Sequence, residues 1–371
     1  MIRLSVPNIG DTECEAVERV LRSGQLVHGE EGERFEKELA AYLDVEEVVT
    51  VTSGTAALHL ALAALGIGPG DAVIVPDFTF PATANVVELV GAKAVCIDVD
   101  PQTYNMTPEG LQAAIAAWQG PEKLKAVMPV HEFGCPADMT AVMAIARAHD
   151  LLVVEDAACA LGATHEGRMA GTFGNAGCFS FHPRKALTTG EGGAIATNDR
   201  ELAHRLRQLR NHGMERSEQG IAFVLPGYNY RLTNFQAALG RAQLTRFASW
   251  LEARRDLKRT YDACLADLDL ALPMDVPGHS WQTFMVVLPD GCDRGEIISK
   301  LRAAGIEANL GAQSVSAQPY YQARYGVSVE RWNSYKLFKQ GLALPFHESI
   351  TPEQMHAVAA ALEAALPERV K

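Results

Sequence analysis

An α/β fold is predicted, with a large domain whose mostly parallel central sheet is flanked by helices and a smaller C-terminal α+β domain. Three features of the chain predict it. Short β-branched runs alternate with segments of helical period through roughly the first two thirds of the sequence. Several runs, Leu151-Leu152-Val153-Val154 among them, are apolar at every position, which requires cover on both faces of a sheet. Beyond Trp250 that alternation stops and longer helical stretches surround a single clear strand. With 371 residues, the chain exceeds the roughly 250–300 at which one core stops growing. Two domains are therefore expected, 1–250 and 251–371.

In chain order, an extended lead ending at Pro7 is followed by a helix over Asp11 to Ser23, stopped by Ser23-Gly24, and a second helix over Glu31 to Leu43. Val48 to Thr52 reads as a strand that runs directly into Ser53-Gly54-Thr55 and an alanine-leucine helix. A strand, a tight turn and a helix N-terminus bring free N–H groups, hydroxyls and the positive end of a helix dipole to one point, which suits a phosphate. Simple N-capping by Ser53 or Thr55 explains the same residues. Gly66-Ile67-Gly68-Pro69-Gly70 follows a helix and precedes a strand, the reverse of a dinucleotide fingerprint, and reads as a connection. The strand Ala72 to Pro76 ends in Asp77-Phe78-Thr79-Phe80-Pro81, where Phe80 could stack on a planar ring at the ligand-binding edge of an open sheet. A helix from Ala82 to Leu89 follows.

The pattern continues with strand Ala94 to Asp98, helix Pro108 to Ala117, strand Ala126 to Val130, helix Met139 to Ala148 and the apolar strand ending at Glu155-Asp156. His131-Glu132-Phe133-Gly134-Cys135 lacks the second histidine of HExxH, so a zinc-protease site is excluded and no metal ligands are assigned. Cys178 to Phe181 then reads as a buried strand leading to His182-Pro183-Arg184-Lys185 and a threonine-glycine loop. Desolvation draws a lysine pKa toward neutrality, which makes the amine a Schiff-base nucleophile. A lysine after a strand also commonly points into water, and both readings stand at this point. Ala194 to Thr197 is a strand, Asp199 to Leu209 a helix, Asn211 to Tyr230 a long connection and Asn234 to Trp250 a helix. The C-terminal part reads as helix Leu251 to Leu268, strand Gln282 to Leu288, helix Arg294 to Ala304 and helix Pro352 to Leu366, with 326–335 and 342–347 as loop or short strand.

Composition narrows the function. The 33 basic and 45 acidic residues leave a formal charge of −12 with no basic stripe, which disfavours nucleic acid as a partner. Seven cysteines, an odd number with no CxxC pair, suit neither a disulfide framework nor a zinc site and point to reduced thiols in a cytoplasm. The N-terminal stretch has no apolar h-region, and no apolar run approaches the roughly 18 residues of a membrane span. A cytoplasmic protein without membrane association is expected.

An anion cradle at Ser53-Gly54-Thr55, a stacking ring at Phe80, a strand-end carboxylate at Asp156 and a strand-end amine at Lys185 together describe a pyridoxal 5′-phosphate site. That cofactor requires an amine to tether it, an anion to keep its pyridine nitrogen protonated and a phosphate anchor. At this point the chain resembles the DegT/DnrJ/EryC1/StrS family of sugar-nucleotide aminotransferases, of the aspartate-aminotransferase fold (fold type I). The resemblance runs through VTSGTAALHLAL, PDFTFPATAN, GAKAVCIDVDPQTYN, PVHEFGCPADM, VVEDAACALGA, GCFSFHPRKALTTGEGGAIATND, LRNHGM, GYNYRLTNFQAALGRAQL and LALPFH.

The resemblance implies that Lys185 is the tethering lysine, Asp156 the pyridinium partner, Phe80 the ring stacker, and Gly54, Thr55 and Ser180 phosphate contacts. It also implies a homodimer in which Asn229 reaches the neighbouring subunit's cofactor. Cys159 occupies a position where family members often carry Gln or His against the cofactor ring, and a thiol is a weaker hydrogen-bond partner. His182, Arg184, Tyr230, Arg231 and His347 are candidate substrate contacts. The implied activity moves an amino group from L-glutamate to a keto sugar nucleotide of the 4-keto-6-deoxy-hexose class, for polysaccharide or amino-sugar synthesis. A sugar dehydratase of the same family, which carries histidine in place of Lys185, a keto-inositol aminotransferase and a non-catalytic regulatory protein are the alternatives.

Overall fold

The computed structural model describes residues 1–367; residues 368–371, the end of the expected C-terminal domain, lie outside the described residues. Seven strands build the central sheet: β1 (Glu47–Val51), β2 (Asp71–Pro76), β3 (Lys93–Ile97), β4 (Lys123–Val127), β5 (Leu152–Asp156), β6 (Ala176–Ser180) and β7 (Gly193–Thr197). Their order across the sheet is β1-β7-β6-β5-β4-β2-β3. From β6 to β3 every neighbouring pair is parallel, and β7 runs antiparallel to both β6 and β1. Six strands therefore point the same way, and the segments after β1, β2, β5 and β6 leave the sheet along one edge.

Burial on both faces explains why these strands read as unbroken apolar runs. Val73 and Val75 of β2 pack on one side with helix Gly54–Ala64, while Ile74 between them packs on the other with Met139 and Val142 of helix Met139–Ala148. Helix Gly54–Ala64 is itself buried around most of its circumference, because helices Ala82–Leu89 and Arg200–Arg210 cover the side turned away from the sheet. A helix apolar all round is a helix enclosed by protein.

The C-terminal part has its own core. Strands β8 (Phe284–Val287) and β9 (Gly341–Leu344) pair antiparallel and pack with helices Arg294–Ala303 and Pro352–Ala365. Helix Phe247–Leu265 joins the two cores: Phe247 and Trp250 pack under the central sheet, Tyr261 and Leu265 against β8. The first residues also reach this layer, since Ile2 bridges in parallel to Ile306 and Leu4 O accepts from Phe346 N.

Four elements differ from the sequence expectation. The helix expected over Asn234 to Trp250 is divided into Asn234–Leu244 and Phe247–Leu265, and at the break Arg246 pairs with the buried Glu13 at 2.5 Å. A hairpin, Met214–Ser217 with Gly220–Phe223, occupies the expected connection; it is exposed along most of its length and so carries no burial alternation to read. Helix Pro319–Tyr325 has a Pro start but is only seven residues long. Helix Asn333–Gln340 begins within the 326–335 stretch expected as loop or short strand, and its cap comes from far away: Asp98 accepts from Asn333 N and Ser334 N, both at 2.9 Å.

A buried ion pair ties the sheet edge to two helices. Glu36 Oε1 accepts from Arg210 Nη1 at 2.5 Å and from the Thr50 N–H and hydroxyl at 2.9 Å each, and Arg210 also donates to Thr50 O at 2.8 Å. Burial alone would raise the Glu36 pKa, but Arg210, His28 and Thr50 outweigh it and hold the group at about 2. Glu36→Ala would strand the Arg210 charge, and a loss of about 3–5 kcal/mol is expected by denaturant titration. Because the folded pKa lies below the unfolded value of 4.5, the stability Glu36 contributes is present above pH 4.5 and lost as pH falls toward 2. That acid loss is expected to be smaller in the variant.

Candidate active site

A cavity of about 620 Å³ opens at the edge of the sheet where the six parallel strands end. At one end of it, Ser53 caps helix Gly54–Ala64, its hydroxyl accepting from Ala56 N at 3.0 Å. The capping role weighed from sequence is therefore real. It leaves Gly54 and Thr55 in the first turn, where backbone N–H groups have no partner within the helix. Gly54 lies against the end of β6, and a Cβ there would sit 2.8 Å from Ser180 Cβ. A Cβ on Gly193 would lie 2.4 Å from Ser53 O. Only glycines let β6, β7 and the helix start close on one another, and the Ser180 side chain completes the cradle.

Along β5 the pleat separates two adjacent carboxylates. Asp156 faces the cavity, accepting from Thr83 Oγ1 at 2.8 Å and Ala158 N at 3.1 Å. Glu155 turns to the other side and accepts from Gly171, Phe173 and Gly174 N at 2.6–2.7 Å. His131 Nδ1 accepts from Ala137 N at 3.1 Å, so its Nε2–H is the one that donates to Glu155 at 3.0 Å. Burial raises the Asp156 pKa, against the hydrogen bonds from Thr83 and Ala158 and the charge of Lys185. Such a group is poised to share a proton with a cationic nitrogen.

Lys185 lies in the same cavity, its amide N donating to His182 O at 2.8 Å and its Nζ donating to Cys159 Sγ at 2.9 Å. Burial pushes the Cys159 thiol upward, opposed by Lys185, so this contact joins an amine to a protonated thiol. An amine, a carboxylate and an N–H cradle in one enclosed space fit pyridoxal 5′-phosphate in the chemistry of their donors and in the glycine clearance.

A family model for the DegT/DnrJ/EryC1/StrS aminotransferase family matches residues 7–363. The chain belongs to this family. Over 338 residues it is 40% identical to the GDP-perosamine synthase of Caulobacter vibrioides, covering 90% of this chain and 89% of that protein. A DegT DnrJ EryC1 StrS aminotransferase from Brucella abortus superposes with a TM-score of 0.89 at 36% identity, covering 95% of each chain. The PLP-form of the putative sugar aminotransferase Spr1654 from Streptococcus pneumoniae superposes with a TM-score of 0.90 at 28% identity, covering 98% of this chain and 97% of that one. The chain is thus a fold type I aminotransferase with pyridoxal phosphate as its cofactor.

The aminotransferase cavity gathers Ser53, Gly54, Thr55, Phe80, Asp156, Cys159, Ser180, His182, Arg184 and Lys185. Phe80 lies at its mouth, 65% exposed. His182 is partly exposed; burial lowers its pKa while Glu191, 3.9 Å away, opposes the shift. Four expected residues lie elsewhere. Tyr230 stacks on Tyr228 with centroids 4.9 Å apart and its hydroxyl meets His59 Nδ1 at 3.2 Å. Arg231 donates to Asn211 Oδ1, and Asn229 bridges to Asn211 through the backbone. His347 turns from the cavity to Ser349 Oγ at 2.9 Å, because Leu344 and Phe346 hold the cavity-facing positions of that segment.

Three residues with no local signal complete the site. Thr83 holds Asp156, and Glu132 lines the cavity from the turn after β4. Gln282 brackets the lysine: its Oε1 accepts from Ala186 N at 2.9 Å and its Nε2 donates to Arg184 O at 2.6 Å. One amide thereby fixes the peptides on both sides of Lys185 and leaves Nζ to swing. Gln282→Leu is expected to lower kcat about 10²-fold through misplacement of the amine, with only a small change in melting temperature. Steady-state kinetics alongside thermal denaturation check this; an unchanged kcat would show that the bracket is dispensable.

Proposed function

We propose that this aminotransferase moves an amino group from L-glutamate to a keto sugar nucleotide of the 4-keto-6-deoxy-hexose class. The observation that carries the reading is the convergence of Lys185, Asp156 and the Gly54–Ser180 cradle in one cavity. The acceptor class is supported by the likeness to a protein named for GDP-perosamine synthesis. Its product serves surface polysaccharide or amino-sugar synthesis in the cytoplasm. In this reading 1–250 holds the cofactor, 251–371 forms the smaller domain, and two copies of the chain pair so that Asn229 of each reaches the other's cofactor. Its position outside its own chain's cavity suits that arrangement.

When bound, pyridoxal phosphate supplies an electron sink for bond changes beside an amine. The chain's own groups do the rest. Gly54 and Thr55 N–H groups and the Ser180 hydroxyl hold the phosphate. Asp156, oriented by Thr83, keeps a proton on the pyridine nitrogen. Lys185 would tether the cofactor, and its Nζ, when free, would act as the base that takes and returns the substrate proton. Phe80 covers the ring. The dehydratase alternative requires histidine at the tether, and Lys185 stands there.

Lys185→Ala is expected to abolish both the lysine-linked cofactor absorbance and product formation. The test incubates the protein with L-glutamate and a panel of 3-keto and 4-keto nucleotide sugars, with product read by mass spectrometry. Amination of a 4-keto sugar is the expected result. Turnover by Lys185→Ala would refute the tether, and amination confined to keto-inositols would refute the acceptor class.

A further inference from the structure

Glu132 has no role in the reading above, yet the turn that carries it is tightly determined. Its side chain lines the active-site cavity, and the residue is only 4% exposed. Its N–H donates to Asn105 Oδ1 at 2.9 Å, and Asn105 Nδ2 donates in turn to Cys135 O at 3.0 Å. The next residue, Phe133, is held at a φ of 55°, a left-handed conformation that residues with a Cβ rarely adopt, and its carbonyl accepts from Gln282 N at 2.8 Å. Strain maintained by surrounding contacts in this way marks functional positions.

Glu132 shares the cavity with Asp156 at the end of β5, Cys159 in the turn beyond it, Lys185 after β6 and Thr79, whose hydroxyl meets that of Thr83 at 3.0 Å. His131, one residue earlier, is engaged with Glu155 on the far side. Among the described residues Glu132 forms no ion pair. Burial pushes its pKa up to about 8, the Asp156 charge adds to that, and Lys185 opposes it. A carboxyl group kept neutral beside an amine is the arrangement in which one group gives a proton and the other takes one.

We propose that Glu132 is the general acid of this site, giving its proton to the carbonyl oxygen of the keto substrate. The step rests on the aminotransferase reading. A C–N bond forms at the carbonyl carbon, the C–O bond breaks, and the oxygen leaves as water. One of that water's hydrogens comes from Glu132 and the other from the incoming amino group. Glu132 recovers a proton from the same nitrogen, so the carboxyl is regenerated and nothing is oxidised or reduced.

Glu132→Gln keeps the size and a hydrogen-bond donor but cannot transfer a proton. With amino-loaded holoenzyme and 2-oxoglutarate as the keto substrate, the variant's single-turnover rate is expected to fall about 10²-fold. Wild type is expected to lose rate as pH rises through about 8, and the variant is expected to lack that loss. A rate within threefold of wild type with that alkaline limb intact would overturn the proposal. So would loss of cofactor binding, which would make Glu132 a holding group.

A second readout is independent of turnover. From pH 4.5 to about 8 the wild-type carboxyl is neutral when folded and ionised when unfolded, which favours unfolding. The Tm advantage of Glu132→Gln is therefore expected to widen between pH 5 and pH 8. An equal gap at both would show the folded group to be ionised and refute the acid role. If Glu132→Gln misfolds, an infrared pH titration of wild type and Glu132→Asp replaces it, and absence of a protonated-carboxyl band at pH 7 in wild type would be decisive against the proposal. If no keto sugar is aminated but these results hold, the acceptor assignment fails and the acid role stands.

Discussion

The active site depends on the pleat of β5. Adjacent residues of a strand point to opposite faces, so the Glu155-Asp156 pair is divided between two tasks. Glu155 gathers three backbone N–H groups and His131, fixing the 171–174 loop beneath the sheet. Asp156 then emerges alone into the cavity, where Thr83 and Ala158 hold its orientation. A slip of one residue would exchange the two. The register of β5 with β6, Val154 to Ala176 and Asp156 to Cys178, is what prevents it, because the same slip would turn the apolar side chains of a doubly covered strand.

Six strands with a common direction bring the other groups to that carboxylate. The cradle at the end of β1, Phe80 after β2, Cys159 after β5 and Lys185 after β6 occupy one edge because each follows a strand pointing that way. The reversed strand β7 supplies Gly193 at its start rather than its end, which places the glycine that clears Ser53 O at the same edge. Low dielectric within the cavity raises the pKa values of Asp156, Cys159 and Glu132 through loss of solvation, and the amine of Lys185 is the opposing charge common to all three. Desolvation thus sets the chemistry as much as residue identity does.

The C-terminal core contributes to the cavity without supplying Lys185, Asp156 or the Gly54–Ser180 cradle. Gln282, just before β8, brackets Lys185, and Arg254 Nη1 donates to Trp281 O at 2.9 Å to hold that segment. Leu344 and Phe346 line the far wall. Asp98 caps helix Asn333–Gln340, and Asp77 accepts from the Ser314 and Ser334 hydroxyls at 2.6 and 2.7 Å. These polar contacts lock the C-terminal layer onto the strand ends that carry the chemistry.

Order along the chain was enough to recover the strand and helix succession of the large sheet, since doubly buried strands and enclosed helices leave strong apolar signatures. Gly54, Asp156 and Lys185 were legible as candidates for a related reason, since each lies at or a few residues beyond the end of such a strand; Ser180 was singled out only by the family resemblance. What the sequence could not determine were features whose cause lies far away in the chain. The helix capped by Asp98, the bracket made by Gln282 and the turning of His347 toward Ser349 depend on contacts that local pattern does not encode. The sequence by itself determined the glycine turn, the strand-end carboxylate and the lysine as candidates at the edge of the sheet, but not Glu132, Thr83 or Gln282. Tertiary structure decided which carboxyl group is dry, which amine meets a thiol and which histidine turns away, because solvent exclusion and long-range hydrogen bonding arise only once the two cores pack together.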